Sequence, residues 1–206
     1  MINNMELLLP YIYFNEGNNM FMHCQIVQRA KDHKGEKVKE GALKTYFIRS
    51  REPLQRVMPE IILLCEHYGA RAYINMAGKD FYALQKLMLR KLAFDISEDI
   101  VRNPRKTLNS AAGELKSRTT RWIIDVDDPE QKDSIYNWLK NMWGDETSMY
   151  VIEVPTVQCC HFITPKFNTK DFSEAFPNVD VHKNSMGTLL YFPESIKQQS
   201  YEKSIL

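Results

Sequence analysis

Residues 122–130 read WIIDVDDPE, and this stretch decides how the second half of the 206-residue chain is read. Successive side chains on a strand point to opposite faces. Ile124 and Val126 therefore share one face, and Ile123, Asp125 and Asp127 share the other. Asp128 then begins a helix, as an N-cap followed by Pro129 at the first helical position and Glu130 in the first turn. That helix runs to about Trp143 and stops at Gly144. Downstream, the pattern predicts strands at 149–154 and about 158–164, a short helix at 169–176 and strands near 179–182 and 188–192. The last two read as one strand split by a turn at 184–187, and the polar tail after Pro193 is expected to fray.

The order β-α-β-β-α-β is that of a ferredoxin-like, or RRM-like, unit. Upstream, 20–27 and 42–49 read as strands around a polar loop, a long hairpin. A helix over 53–68 carries apolar residues at helical spacing; Pro59 is expected to kink or restart it, and Gly69 to stop it. With a strand at 70–76, this makes a β-α-β unit of the length a parallel crossover needs. An amphipathic helix follows at about 80–94, and 101–121 reads as a polar connector with room for a short helix. The expected fold is α+β. Residues 1–121 form an N-terminal α/β part with the basic hairpin and connector, and 122–206 form an RRM-like part packed with it in one compact unit.

Composition narrows the function classes. Lys and Arg number 27 against 26 Asp and Glu, so a uniformly basic nucleic-acid coat and an acidic tail protein are both excluded. The charge is nonetheless segregated. Residues 29–51 hold eight Lys and Arg against three acids, and 101–121 hold six against Glu114 alone, so the remainder is acidic. No apolar run is long enough for a transmembrane helix, and the N-terminus lacks the pattern of a signal peptide. The four cysteines form no CxxC pair. Reduced thiols in a cytoplasmic protein without membrane contact are expected.

Three places could carry chemistry. Asp125 stands inside an apolar strand, where an unpaired carboxylate costs several kcal/mol, roughly. Either a salt bridge satisfies it, or a hard divalent cation such as Mg²⁺ or Mn²⁺ lies between Asp125 and Asp127. His161 follows Cys159 and Cys160 on a strand, as a hydrogen-bonded core residue or as a donor to a phosphate oxygen. Asp180 stands between two valines ahead of Lys183 and a turn, where a cation and exposed backbone N–H groups would suit phosphate. In a ferredoxin-like sheet the first and third strands are the central pair, so Asp125, Asp127, His161 and Asp180 could gather on one surface.

These residues resemble the catalytic core of the archaeo-eukaryotic primase superfamily, which includes primase-polymerases of plasmids and phages. Ile123-Ile124-Asp125-Val126-Asp127 looks like its hhhDhD/E motif, Cys159-Cys160-His161 like its sxH motif and Val179-Asp180 like its hD motif. An α/β unit ahead of an RRM-like unit is that family's architecture, and the likeness spans most of 42–192. Cys159 departs from the family's small hydroxyl or glycine-rich lead, and the interval from His161 to Asp180 is short. The resemblance implies that Asp125, Asp127 and Asp180 hold two Mg²⁺ or Mn²⁺ ions and that His161 contacts nucleotide phosphates. Lys183 and Lys166 are the nearest cations for the triphosphate. Arg49, Arg51, Arg105, Lys106, Arg118 and Arg121 are candidates for the nucleic-acid backbone. The implied function is metal-dependent nucleotidyl transfer on a nucleic-acid template, with nucleoside triphosphates as substrates and replication proteins as partners. The alternatives are a non-catalytic RRM-like nucleic-acid-binding module and a diverged, inactive primase-like protein.

Overall fold

The computed structural model describes residues 1–12, 19–33, 37–38, 40–117, 121–183, 187–194 and 196. In chain order the first half holds β1 (Ile2–Asn3), α1 (Met5–Leu8), β2 (Met20–Gln28), β3 (Gly41–Ile48), α2 (Arg51–Tyr68), β4 (Arg71–Ile74), β5 (Lys79–Asp80), α3 (Phe81–Ser97) and α4 (Pro104–Glu114). The second half holds β6 (Trp122–Val126), α5 (Pro129–Trp143), α6 (Thr147–Tyr150), β7 (Ile152–Pro155), β8 (Cys160–Thr164), α7 (Thr169–Ala175), β9 (Asp180–His182) and β10 (Thr188–Phe192). The fold is α+β, with two antiparallel sheets. The first has the order β1-β10-β4-β2-β3, with β5 also on β2, and the second has the order β7-β8-β6-β9.

The hairpin expected around the basic loop is β2 paired with β3. The crossover from β3 through α2 to β4 joins two parallel strands of one sheet, as the β-α-β reading expects. Both strands pair antiparallel with β2, so they run the same way but β2 lies between them. Pro59 lies inside α2, which continues through it on the exposed side of the helix. Gly69 ends α2 with φ +54°, and a Cβ there would sit 2.7 Å from the His33 ring. The connector contains α4, capped by the Asn103 side chain on the Arg105 N–H.

Two further expectations are corrected. Residues 149–150, read as the start of a strand, belong to α6, and β7 begins only at Ile152. Thr188 to Phe192 does not extend β9; it enters the first sheet between β1 and β4. All five of its residues are buried, and a strand covered on both faces takes an interior position. The turn expected at 184–187 lies largely outside the described residues, and so does the tail beyond 196.

One core joins the two sheets. Ile123, Ile152, Val154 and Ile163 of the second sheet pack into the same cluster as Cys24, Ile26, Ile74 and Leu190 of the first, with Leu54, Met58 and Ile61 of α2. The opposite face of the second sheet, through Ile124, Val126 and Phe162, packs on Ile135 and Leu139 of α5 and Phe172 of α7. Asn4 ties the halves by polar bonds: its buried amide donates to Pro155 O and to Leu189 O, each at 2.9 Å.

Candidate functional site

The register of the second sheet sets the site. Asp125 on β6 lies directly opposite His161 on β8 and directly opposite Asp180 on β9. Residues opposite one another in an antiparallel pair point to one face, about 4.5–5.5 Å apart at Cβ. Asp127, two residues on, continues that face beyond the end of β6. The same face holds Ile123 and Ile163, which enter the common core. The carboxylates therefore lie where the packed interface between the sheets opens into a cleft.

Asp125 is half-buried and held by imidazoles. Its Oδ1 lies 3.1 Å from His161 Nε2, and its Oδ2 lies 3.9 Å from His182 Nε2. A carboxylate only accepts, so Nε2 of His161 carries the proton. In the neutral ring Nδ1 then accepts from the Thr188 hydroxyl, at 3.4 Å. His161 and Thr188 are both buried, so this chain runs from β10 of the first sheet to the carboxylate on the second. The hydrogen bond from His161 holds the Asp125 carboxyl below the usual carboxylate range, against the desolvation that would raise it. Lys31 acts in the same lowering direction, as His161 and His182 do when protonated.

The cleft of about 110 Å³ beside Asp125 has one acidic wall and one basic wall. Asp125, Asp127 and His161 form the first, and Arg29, Lys31 and Arg71 face them. Arg71 donates Nε to Asp32 Oδ2 at 2.7 Å and a second bond, from Nη2, to Oδ1, a bidentate pair that fixes its guanidinium. Arg29 donates to the Tyr73 hydroxyl at 3.1 Å, and Lys31 is exposed. On the other side of Asp125, a second hollow of about 160 Å³ is lined by Asp127, Asp128, Asn178 and Asp180. Among the described residues, no three of His, Cys, Asp and Glu are drawn together closely enough to hold a metal ion as they stand.

Sequence reasoning thus brought together Asp125, Asp127, His161 and Asp180, and the structure places all four around one strand. Lys183 and Lys166 are elsewhere. Antiparallel register sets Lys183 level with Trp122 and Lys166 past it, at the end of β6 away from Asp127. Lys183 lies 5.5 Å from the centre of the Trp122 ring and donates to Thr169 Oγ1 at 2.9 Å, on the helix-covered face. Lys166 is exposed past the end of β8.

The nucleic-acid candidates are also dispersed. Arg49 stacks over Phe81 at 5.6 Å, and Arg51 donates to the carbonyls of Ile12 and Pro10. Arg105 and Lys106 are exposed on α4, Arg121 reaches the Tyr150 carbonyl, and Arg118 lies outside the described residues. Arg71 was missed because its role depends on the fold bringing β4 to β6. Arg29 and Lys31 were read only as part of a basic loop. Compared with models of known families, with curated proteins and with solved structures, the chain finds no match in any of the three.

Proposed function

We propose that the chain is a metal-dependent nucleotidyltransferase of the primase-polymerase kind, acting on a nucleic-acid template with nucleoside triphosphates. One observation carries the reading. Asp125 sits in register between His161 and Asp180, at the edge of a cleft whose opposite wall is Arg29, Lys31 and Arg71. Acidic oxygens facing cations suit a polyphosphate: Arg29 and Lys31 neutralise its charge, Arg71 being paired with Asp32, while the carboxylates supply hard oxygen donors. The order β7-β8-β6-β9, with β6 and β8 central, also supports reading the second sheet as an RRM-like unit.

The donor set fits a hard divalent ion. Asp127 and Asp180 are exposed and have no ion-pair partner among the described residues, and Asp180 is the cross-strand neighbour of Asp125. Asp125, Asp127 and Asp180 would hold Mg²⁺ or Mn²⁺, which when bound supplies activation of the attacking 3′-oxygen and of the leaving pyrophosphate oxygen. His161 has both ring nitrogens engaged. In this reading it orients Asp125, and the phosphates fall to Arg29 and Lys31. A non-catalytic RRM-like module is disfavoured: such modules stack bases on an open sheet face, whereas here Ile123, Val154 and Ile163 bury that face against the first sheet.

Incorporation of labelled nucleotide on primed and unprimed DNA and RNA templates, with Mn²⁺ or Mg²⁺, tests the proposal. Product should form with the wild-type chain and fall at least about a hundredfold with Asp125→Ala, since charge stabilisation of this kind is worth that much or more. Product that persists in Asp125→Ala, or no product on any template, would sink it.

A further inference from the structure

The four cysteines fall into two classes. Cys24 and Cys65 are fully buried in the core shared by the sheets, and burial pushes the pKa of both thiols up to about 12. Cys159 and Cys160 stand together at the start of β8, and their sulfurs lie 3.8 Å apart. Adjacent side chains on a strand point to opposite faces. Here both pack on the helix-covered face of the second sheet, with Val126 and Phe162. The chain achieves this by bending at Cys159, in the loop that joins β7 to β8. Two hydrogen bonds hold the bend. The Thr156 N–H donates to the Cys159 carbonyl at 3.1 Å, and the Cys159 N–H donates to Thr156 Oγ1 at 3.3 Å. Cys160 is buried, whereas Cys159 is partly exposed.

We propose that Cys159 and Cys160 are a redox-active dithiol, a modification site that a hydroperoxide closes into a disulfide between adjacent residues. Cys159 meets the oxidant first, being the more exposed of the pair. Its thiolate attacks a peroxide oxygen: an S–O bond forms, the O–O bond breaks, and hydroxide leaves, to be neutralised by the proton the thiol gave up. The Cys160 sulfur then attacks the sulfenic sulfur. The S–S bond forms, the S–O bond breaks, and the departing hydroxide takes the Cys160 proton as water. Two electrons pass from the sulfurs to the peroxide. Cys24 and Cys65, sealed in the core, stay reduced. A bridge between neighbours holds Cα atoms about 3.8 Å apart, under the usual minimum of about 4.4 Å, so it is strained and a thiol reductant opens it readily. Closing it also turns the peptide between the two cysteines, whose carbonyl is the acceptor for Thr156. Thr156, Val157 and Gln158 line the cleft beside Asp125, so oxidation reshapes that wall. The site is independent of the proposed chemistry: the bridge and the loop can be read whether or not the cleft transfers nucleotides.

Hydrogen peroxide treatment of the full chain, followed by alkylation under denaturing conditions, digestion and mass spectrometry, tests it. The peptide that holds both cysteines should be lighter by two hydrogens and resist alkylation until dithiothreitol is added, while Cys24 and Cys65 alkylate. Cys160→Ala should stop at a sulfenic acid on Cys159, captured by dimedone. Cys159→Ser should slow the loss of thiol at least about tenfold, because the thiols that remain are buried. In proton–nitrogen correlation spectra of the wild type, oxidation should move the amide signals of Thr156 and Cys159, and dithiothreitol should restore them. Cys159→Ser should show no change at Thr156. A Cys159 bridge between two chains, sulfinic acid at Cys159 with Cys160 still alkylated, equal loss of thiol in Cys159→Ser, or a bridge that leaves the amide signals of residues 156–159 unmoved would each overturn the proposal.

Discussion

His23 shows how much one buried side chain can set the response to pH. Its Nε2 is buried without a hydrogen-bond partner among the described residues, and burial, helped by Lys79, lowers its pKa from 6.5 to about 4. The sign follows from proton counting. Between about pH 4 and 6.5 the unfolded chain holds the proton and the folded chain does not, so stability falls as pH drops through that window. The loss is at most about 3 kcal/mol by pH 4. Urea titrations across this range should show it, and His23→Leu should flatten the dependence while leaving stability at pH 7 equal or higher. An unchanged slope in the variant would show that other groups carry the acid sensitivity. No sequence signal pointed to His23, because its burial depends on neighbours from other strands, among them Phe47, whose ring lies 5.7 Å away on β3. The reverse holds for Asp125. A carboxylate between Ile124 and Val126 is conspicuous in any reading, and its pairing with His161 followed once their strands were taken as the central pair.

Among the elements, local pattern served best where the partner was local. The cap at Asp128, the stop at Gly144 and the hairpin of β2 with β3 all lie as the residues require. β10 was misplaced because its destination is set by burial on both faces, and an apolar run of five residues does not name its neighbours. The beginning of the strand expected at 149–154 went to α6 for a similar reason: Thr147 is buried and its hydroxyl donates to the Gly144 carbonyl, which holds the turn. α2 offers a test at this scale. Pro59 removes one backbone donor in mid-helix on the exposed side, yet the helix persists because Leu54, Met58, Ile61 and Cys65 are anchored in the core. Pro59→Ala should therefore raise stability, by about 1–3 kcal/mol in chemical denaturation, since an interior proline costs up to about 3. A variant no more stable than wild type would show that the helix is already bent to fit the proline.

At the scale of the whole molecule, the cleft exists only because two sheets share one core. Carboxylates come from the second sheet, and the cations from β4 and the loop after β2 of the first. Thr188 and Asn4 bind across the junction. This explains why the basic wall was not legible in the sequence. Arg29 and Arg71 are 42 positions apart and meet through β2 and β4, and neither lies near the Asp125 motif in the chain. It also predicts that metal and polyphosphate binding have separable parts. Mn²⁺ titrations followed by electron paramagnetic resonance, with and without inorganic triphosphate, measure both. The wild-type chain should bind Mn²⁺ and bind it more tightly with triphosphate. Asp125→Asn should lose at least about tenfold in Mn²⁺ affinity, as loss of one charged oxygen ligand requires. Arg29→Ala with Lys31→Ala should keep the Mn²⁺ affinity and lose the enhancement by triphosphate. Equal Mn²⁺ affinity in wild type and Asp125→Asn would contradict the central claim.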